Sequence, residues 1–112
     1  MRLRILLSTA ALTAATTVPL VALAPGAEAA PVRTWNKLAQ CESSGRWHVN
    51  TGNGYYGGLQ ISPSTWRAFG GKRFARLPHA ASKRQQIKVG ERIKRGQGWG
   101  AWPSCSARLG LR

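Results

Sequence analysis

The stretch Trp35-Asn36-Lys37-Leu38-Ala39-Gln40-Cys41-Glu42-Ser43-Ser44-Gly45-Arg46-Trp47 sets the first element of the fold and the position of a scarce acid. Thr34 stands where an N-cap is wanted, and apolar side chains then recur at spacings of three and four. A helix is therefore predicted that brings Trp35, Leu38, Ala39 and Glu42 onto neighbouring parts of one face. Gly45 stops it. Glu42 falls in its last turn, beside Cys41.

Downstream, the pattern from Arg46 to Gly58 changes to bulky residues around Asn53-Gly54, a turn pair that favours a hairpin and predicts a small β-ribbon. Ser62-Pro63 supplies an N-cap and a first-turn proline for a second helix through Thr65, Trp66 and Phe69, which Gly70-Gly71 ends. Lys72 to Ala81 reads as loop. Ser82 and Gln85 form a capping box for a third helix through Ile87, Val89, Gly90 and Ile93. Trp99, Trp102 and Cys105 then lie in an irregular tail expected to pack back on the first helix. The fold class is α+β, with three main helices and a short β-ribbon.

Upstream, a basic head of Arg2 and Arg4 precedes a diluted apolar run of about 19 residues, from Ile5 to Leu23. Ala27-Glu28-Ala29 follows, with small residues flanking a cut. Residues 1–29 are read as a secretory signal, the alternative being a retained membrane anchor, and residues 30–112 as the mature domain. The expected location is extracellular or cell-wall associated, with no stable membrane anchor once the signal is gone and a monomeric chain. A mature chain of about 83 residues buries only a modest core, so a covalent staple is valuable. The chain has two cysteines, Cys41 and Cys105, and export places them in an oxidising setting. A disulfide is the economical reading, closing a loop of about 63 residues and contributing on the order of 4 kcal/mol. The alternatives are free thiols or metal ligands shared with His48 and His79.

Charge narrows the function classes. The chain carries 17 basic and 3 acidic residues, a net charge of +14, and losing Arg2, Arg4 and Glu28 with the leader takes this to +13. An anionic partner is implied, whether wall polymer, lipid headgroup or nucleic acid. Export and the lack of any recognition-helix or RNA-sheet motif argue against nucleic acid. With Glu42 and Glu91 as the acids of the mature region, neither a zinc site nor a calcium cage can be assembled, so no metal or cofactor is expected. A triad from Ser43, Ser44, His48 or His79 lacks the strand-Gly-x-Ser-x-Gly-helix context. Glu42 is different: it sits at a helix C-terminus, near Trp47, Tyr55 and Tyr56, where dipole and desolvation both favour the protonated form. That is how a general acid is held ready near neutral pH. Pairing with Arg46 on the surface is the plainer alternative.

The quoted stretch, followed by Asn50-Thr51-Gly52-Asn53-Gly54-Tyr55-Tyr56-Gly57-Gly58-Leu59-Gln60, resembles the resuscitation-promoting factors of high-GC Gram-positive bacteria. The likeness continues through Ser64-Thr65-Trp66, the Ala81 to Ile93 helix and Gln97-Gly98-Trp99-Gly100-Ala101-Trp102-Pro103-Ser104-Cys105. The segment Gly58-Leu59-Gln60-Ile61-Ser62-Pro63-Ser64-Thr65 is also similar to soluble lytic transglycosylases. The resemblance implies a small lysozyme-like fold with a groove for the glycan strands of peptidoglycan, with Glu42 as the catalytic acid and Asn53, Tyr55, Tyr56, Gln60, Thr65 and Trp66 as substrate-binding candidates. Trp66, on a helix, has core packing as its competing role. Glycosidases commonly use two carboxylates, but Glu91 lies among Lys88, Arg92 and Lys94 and reads as a structural ion-pair residue. A single-acid cleavage of the MurNAc-GlcNAc bond is the scheme this leaves, with a cell-wall remodelling or resuscitation role. Anionic wall polymers and a partner wall hydrolase are further candidate partners. The competing class is a non-catalytic cationic wall-binding or signalling module.

Overall fold

The computed structural model describes residues 28–112; residues 1–27, which hold most of the expected leader, lie outside them. The first helix, α1, runs Val32–Ser43. Its N-cap position is Pro31, whose extended backbone leads into the helix without a side-chain cap, and Thr34 sits within the first turn. At the other end the chain turns left-handed at Ser44 and Gly45, with φ of 58° and 74°. Their amides bond back to Gln40 O (3.1 Å) and Ala39 O (3.0 Å), so the last turn carrying Glu42 ends sharply.

Helix α2, Pro63–Ala68, begins as its local chemistry dictates: Ser62 Oγ accepts from Thr65 N at 3.2 Å and Pro63 occupies the first position. Helix α3, Lys83–Gln97, starts with a complete capping box, Gln85 N donating to Ser82 Oγ (3.1 Å) and Ser82 N to Gln85 Oε1 (3.0 Å). The segment between them is not plain loop, since short 3-10 turns occur at Gly71–Arg73 and Pro78–Ala80. The tail departs further from expectation. A 3-10 turn at Trp99–Ala101 leads into a fourth helix, α4, Pro103–Arg108, opened by Pro103 at its first position.

The hairpin expected at Asn53-Gly54 is replaced by a folded loop. Among the described residues there is no strand, and pairing is limited to two isolated antiparallel bridges, Asn50 with Tyr56 and Tyr56 with Ile61. Left-handed backbone at Gly52, Gly54, Gly57 and Gln60 reverses the chain too often for a period-two ladder. The loop is held from outside instead. Buried Gln86 of α3 accepts from Gly58 N (2.9 Å) and donates to Trp47 O (2.7 Å) and Ala81 O (3.0 Å), while Trp102 Nε1 donates to Leu59 O (2.8 Å).

The core gathers Trp35, Leu38 and Ala39 of α1, Leu59 and Ile61 of the loop, Trp66 of α2, Val89 and Ile93 of α3, and Trp102. Close approach requires glycine at position 90, where a Cβ would stand 2.9 Å from Leu59 and 3.0 Å from Trp35. Cys41 and Cys105 form a disulfide, with Cα atoms 5.8 Å apart, joining the last turn of α1 to α4. The free-thiol and metal-ligand alternatives are thereby removed. The described residues make a small helical domain with one disulfide, consistent with a lysozyme-like domain.

The disulfide spans 64 positions, so its loss should release a large loop in the unfolded chain. A Cys41→Ala/Cys105→Ala variant is expected to lose on the order of 4 kcal/mol of unfolding free energy in a denaturant titration. Unchanged stability would mean that α1 and α4 are held together by packing alone.

Candidate active site

Glu42 leaves the last turn of α1 and faces a cavity of about 360 Å³. Asn53, Tyr55 and Gln60 of the loop form one wall, and Ala101, Trp102, Pro103 and Ser104 the other. A smaller cavity of about 70 Å³ adjoins it, sharing Tyr55, Gln60, Ala101 and Trp102 and adding Thr65 of α2. The two make one cleft, with Glu42 at the end nearer the disulfide.

The loop wall is stiffened by its own amides. Asn53 Oδ1 accepts from Tyr55 N (3.0 Å), Asn53 Nδ2 donates to Gln60 Oε1 (3.2 Å), and Gln60 Nε2 donates to Gly57 O (3.0 Å). Tyr55 is left half exposed, at 50%, so one large ring faces solvent at the cleft. Thr65 Oγ1 accepts from Ser62 Oγ at 3.0 Å while Thr65 lines the smaller cavity.

Two candidates are placed elsewhere. Trp66 is 0% exposed, with its indole N–H donating to Ala75 O (2.8 Å), so its ring belongs to the core and offers no face to a ligand. Tyr56 lines neither cavity; its ring stacks on His79 with centroids 5.3 Å apart. Conversely, the wall Ala101–Ser104 had been read only as a tail packing on α1. A signal for it existed: residues just before Cys105 must lie beside the residue that follows Cys41 once the two sulfurs join.

Glu42 is half-buried, and among the described residues it makes no ion pair. Arg46 does not pair with it, its Nε donating to Ser43 O at 3.0 Å. Burial pushes the Glu42 carboxyl above its ordinary value, against the opposing pull of the Arg108 guanidinium. Arg108 is held nearby by α4, its Nη1 lying 3.7 Å from Cys41 Sγ. Glu91 has the reverse setting. Its Oε2 accepts from Trp35 Nε1 and Ala30 N, both at 2.8 Å, and Oε1 lies 3.1 Å from Lys94 Nζ. It lines neither cavity, as expected of a structural ion-pair residue. No group of three His, Cys, Asp or Glu side chains among the described residues is arranged to hold a metal.

The described residues thus place a single half-buried carboxyl in a cleft walled by aromatic and amide side chains. Residues 29–105 match the Transglycosylase-like domain family, and the chain belongs to that family. It is 59% identical over 104 residues to resuscitation-promoting factor Rpf1 of Corynebacterium glutamicum, covering 93% of this chain and 52% of that protein. It is 56% identical over 85 residues to resuscitation-promoting factor Rpf of Micrococcus luteus, covering 76% of this chain and 37% of the relative. With RpfC of Mycobacterium tuberculosis the identity is 54% over 85 residues, 76% of this chain and 59% of that protein. The chain thus spans between 37% and 59% of the length of these relatives.

The raised Glu42 value has a stability consequence whose sign is fixed. Below the ordinary value of 4.5 the carboxyl is protonated both folded and unfolded, and no penalty exists. As pH rises through the raised folded value, the unfolded chain ionises first and stability is lost. Glu42→Gln should therefore melt higher than the parent at neutral pH, with the gain vanishing near pH 4. Melting curves from pH 3 to 8 check this, and a gain that grows toward acid would be contrary to it.

Proposed function

We propose that the domain is a secreted peptidoglycan glycosidase, exported by the leader at residues 1–29, that cleaves the MurNAc-GlcNAc β-1,4 bond with Glu42 as its catalytic acid. The observation carrying this reading is that Glu42 is the one acid lining the cleft, and burial holds its carboxyl toward the protonated form. Membership of the Transglycosylase-like domain family supports the reaction class. The resuscitation-promoting relatives support a role in cell-wall remodelling or return from dormancy. A positively charged surface, +14 over the whole chain, suits an acidic cell wall.

The cleft has the parts such a reaction needs. The cavity lies near the lower end of the range of about 300–1,000 Å³ typical of ligand pockets, so it takes part of a strand while the rest runs out along the surface. Tyr55 offers a ring face for a sugar, and Asn53 and Gln60 offer amides for N-acetyl groups. Protonated Glu42 gives its proton to the glycosidic oxygen as the bond breaks. No second carboxylate lines the cleft, so the substrate's own N-acetyl carbonyl stabilises the cation. Ionised Glu42 then removes a proton from the C6 hydroxyl, closing a 1,6-anhydro ring, or from water, giving hydrolysis. Acid and base roles fall on one residue in turn.

Turnover of purified cell walls tests this directly. Glu42→Gln should lose about 10²–10⁴-fold in rate, the usual contribution of general acid–base catalysis. The parent's rate should fall as pH rises through the raised Glu42 value, and Arg108→Leu should move that limb upward because the opposing cation is gone. Undiminished turnover by Glu42→Gln would overturn the scheme. Product mass separates the endings, an anhydro sugar being lighter than the hydrolysis product by one water.

A further inference from the structure

Glu91, the acid that the cleft does not use, sits where a new chain end would be made. Its Oε2 accepts from the amide of Ala30, the residue that follows Ala27-Glu28-Ala29. Its Oε1 is buried and forms an ion pair with Lys94 Nζ at 3.1 Å, but it has no hydrogen bond among the described residues. Lys94 instead donates to the carbonyl of Glu28, on the leader side of the expected cut. One carboxylate oxygen thus has an ion-pair contact but no hydrogen bond, and the lysine beside it is shared with the carbonyl of a residue that export would remove.

We propose that Glu91 is the receptor for the amino terminus created by cleavage between Ala29 and Ala30. Hydrolysis by a leader-cleaving peptidase consumes one water: the hydroxyl goes to the Ala29 carbonyl carbon and a proton to the Ala30 nitrogen, which takes a further proton from solvent at neutral pH. A peptide amide offers Glu91 one hydrogen. The α-ammonium offers three and a full charge, at the same 2.8 Å position on Oε2 and on a carboxylate whose Oε1 has no hydrogen bond among the described residues. Departure of Glu28 removes the carbonyl with which Oε1 shares Lys94, leaving the lysine to the carboxylate. The charged group in contact with this carboxylate from α3 is Lys94; α1 contributes the uncharged Trp35 indole, and the 99–101 turn the Trp99 ring, 5.4 Å beneath Lys94. Cleavage would therefore convert an amide-to-carboxylate tether into an ion pair between the start of α1 and the middle of α3. The α-amine's protonated form is favoured, which moves its titration above the ordinary range of about 7.7–8.0.

The test uses the protein exported by a host that processes its leader. N-terminal sequencing should read Ala30-Pro31-Val32. At pH 7 to 8 the α-amine should acylate several-fold more slowly than that of exported Glu91→Gln, because an ammonium paired with a carboxylate gives up its proton less readily. Should that variant fail to fold, the pH profile of α-amine acylation in the parent serves against the peptide Ala-Pro-Val, with a midpoint above the peptide's expected. A mature chain starting at another residue overturns the assignment, and so does an α-amine that reacts like that of Glu91→Gln or of the free peptide.

Discussion

The covalent bond between Cys41 and Cys105 fixes the relation on which the cleft depends. Glu42 follows one sulfur-bearing residue and Trp102, Pro103 and Ser104 precede the other, so joining the two brings an acid from α1 against a wall from the C-terminal segment. Across a sequence separation of 64, the bond adds to the packing of Trp102 on Trp35 and to the hydrogen bond from Trp102 to Leu59 O. The same bond places Arg108, one turn further along α4, against Cys41 Sγ and so within the field of Glu42. One link thereby sets a wall of the cleft, the position of the acid and the cation that opposes its protonation.

The other wall is a loop without a ladder, and its rigidity has to come from elsewhere. Gln86 meets a backbone amide and two carbonyls at once, with every bond between 2.7 and 3.0 Å, and it is fully buried. Its removal would leave two buried backbone groups, Gly58 N and Ala81 O, without this partner, each costing about 1–3 kcal/mol, and a third, Trp47 O, that is part-buried. Trp102 adds a fourth tie through Leu59 O while also lining the cleft, so the same side chain supports the loop and shapes the space in front of it. A loop pinned in this way can hold Asn53, Tyr55 and Gln60 in one arrangement despite its glycines.

What was legible in the sequence was what is decided within a few residues. Ser62-Pro63 and the Ser82-Gln85 box start their helices because a cap acts on the amide three residues away. The end of α1 and the placing of Glu42 in its last turn were equally local. The hairpin misreading came from weighing Asn53-Gly54 by itself, when left-handed residues on both sides prevent strands from extending. The fourth helix was hidden because Pro103 follows a glycine-rich run, and its initiating role shows only when the residues after it are read as a turn. Trp66 could not be assigned from periodicity, since a core ring and a binding platform occupy the same helical positions; its burial against Gly71 decides for the core. The Ala101–Ser104 wall is a long-range product of the disulfide, visible only once the bond is taken as given.

Two glutamates of the domain show how environment assigns roles to chemically identical groups. Glu91 is surrounded by donors, receiving the Trp35 indole and a backbone amide beside Lys94. Such a carboxylate is spent on holding α1 to α3. Among the described residues Glu42 has burial without a hydrogen-bond donor, the opposite balance, and its proton is held more tightly as a result. In a chain so rich in cations, an acid escapes pairing only if geometry keeps the cations away. Here Arg46 is engaged by Ser43 O and Arg108 leans on the disulfide, so both nearby guanidinium groups are occupied without a salt bridge to Glu42. The excess of positive charge is therefore kept out of salt bridges with the Glu42 carboxyl, whose proton is held by burial.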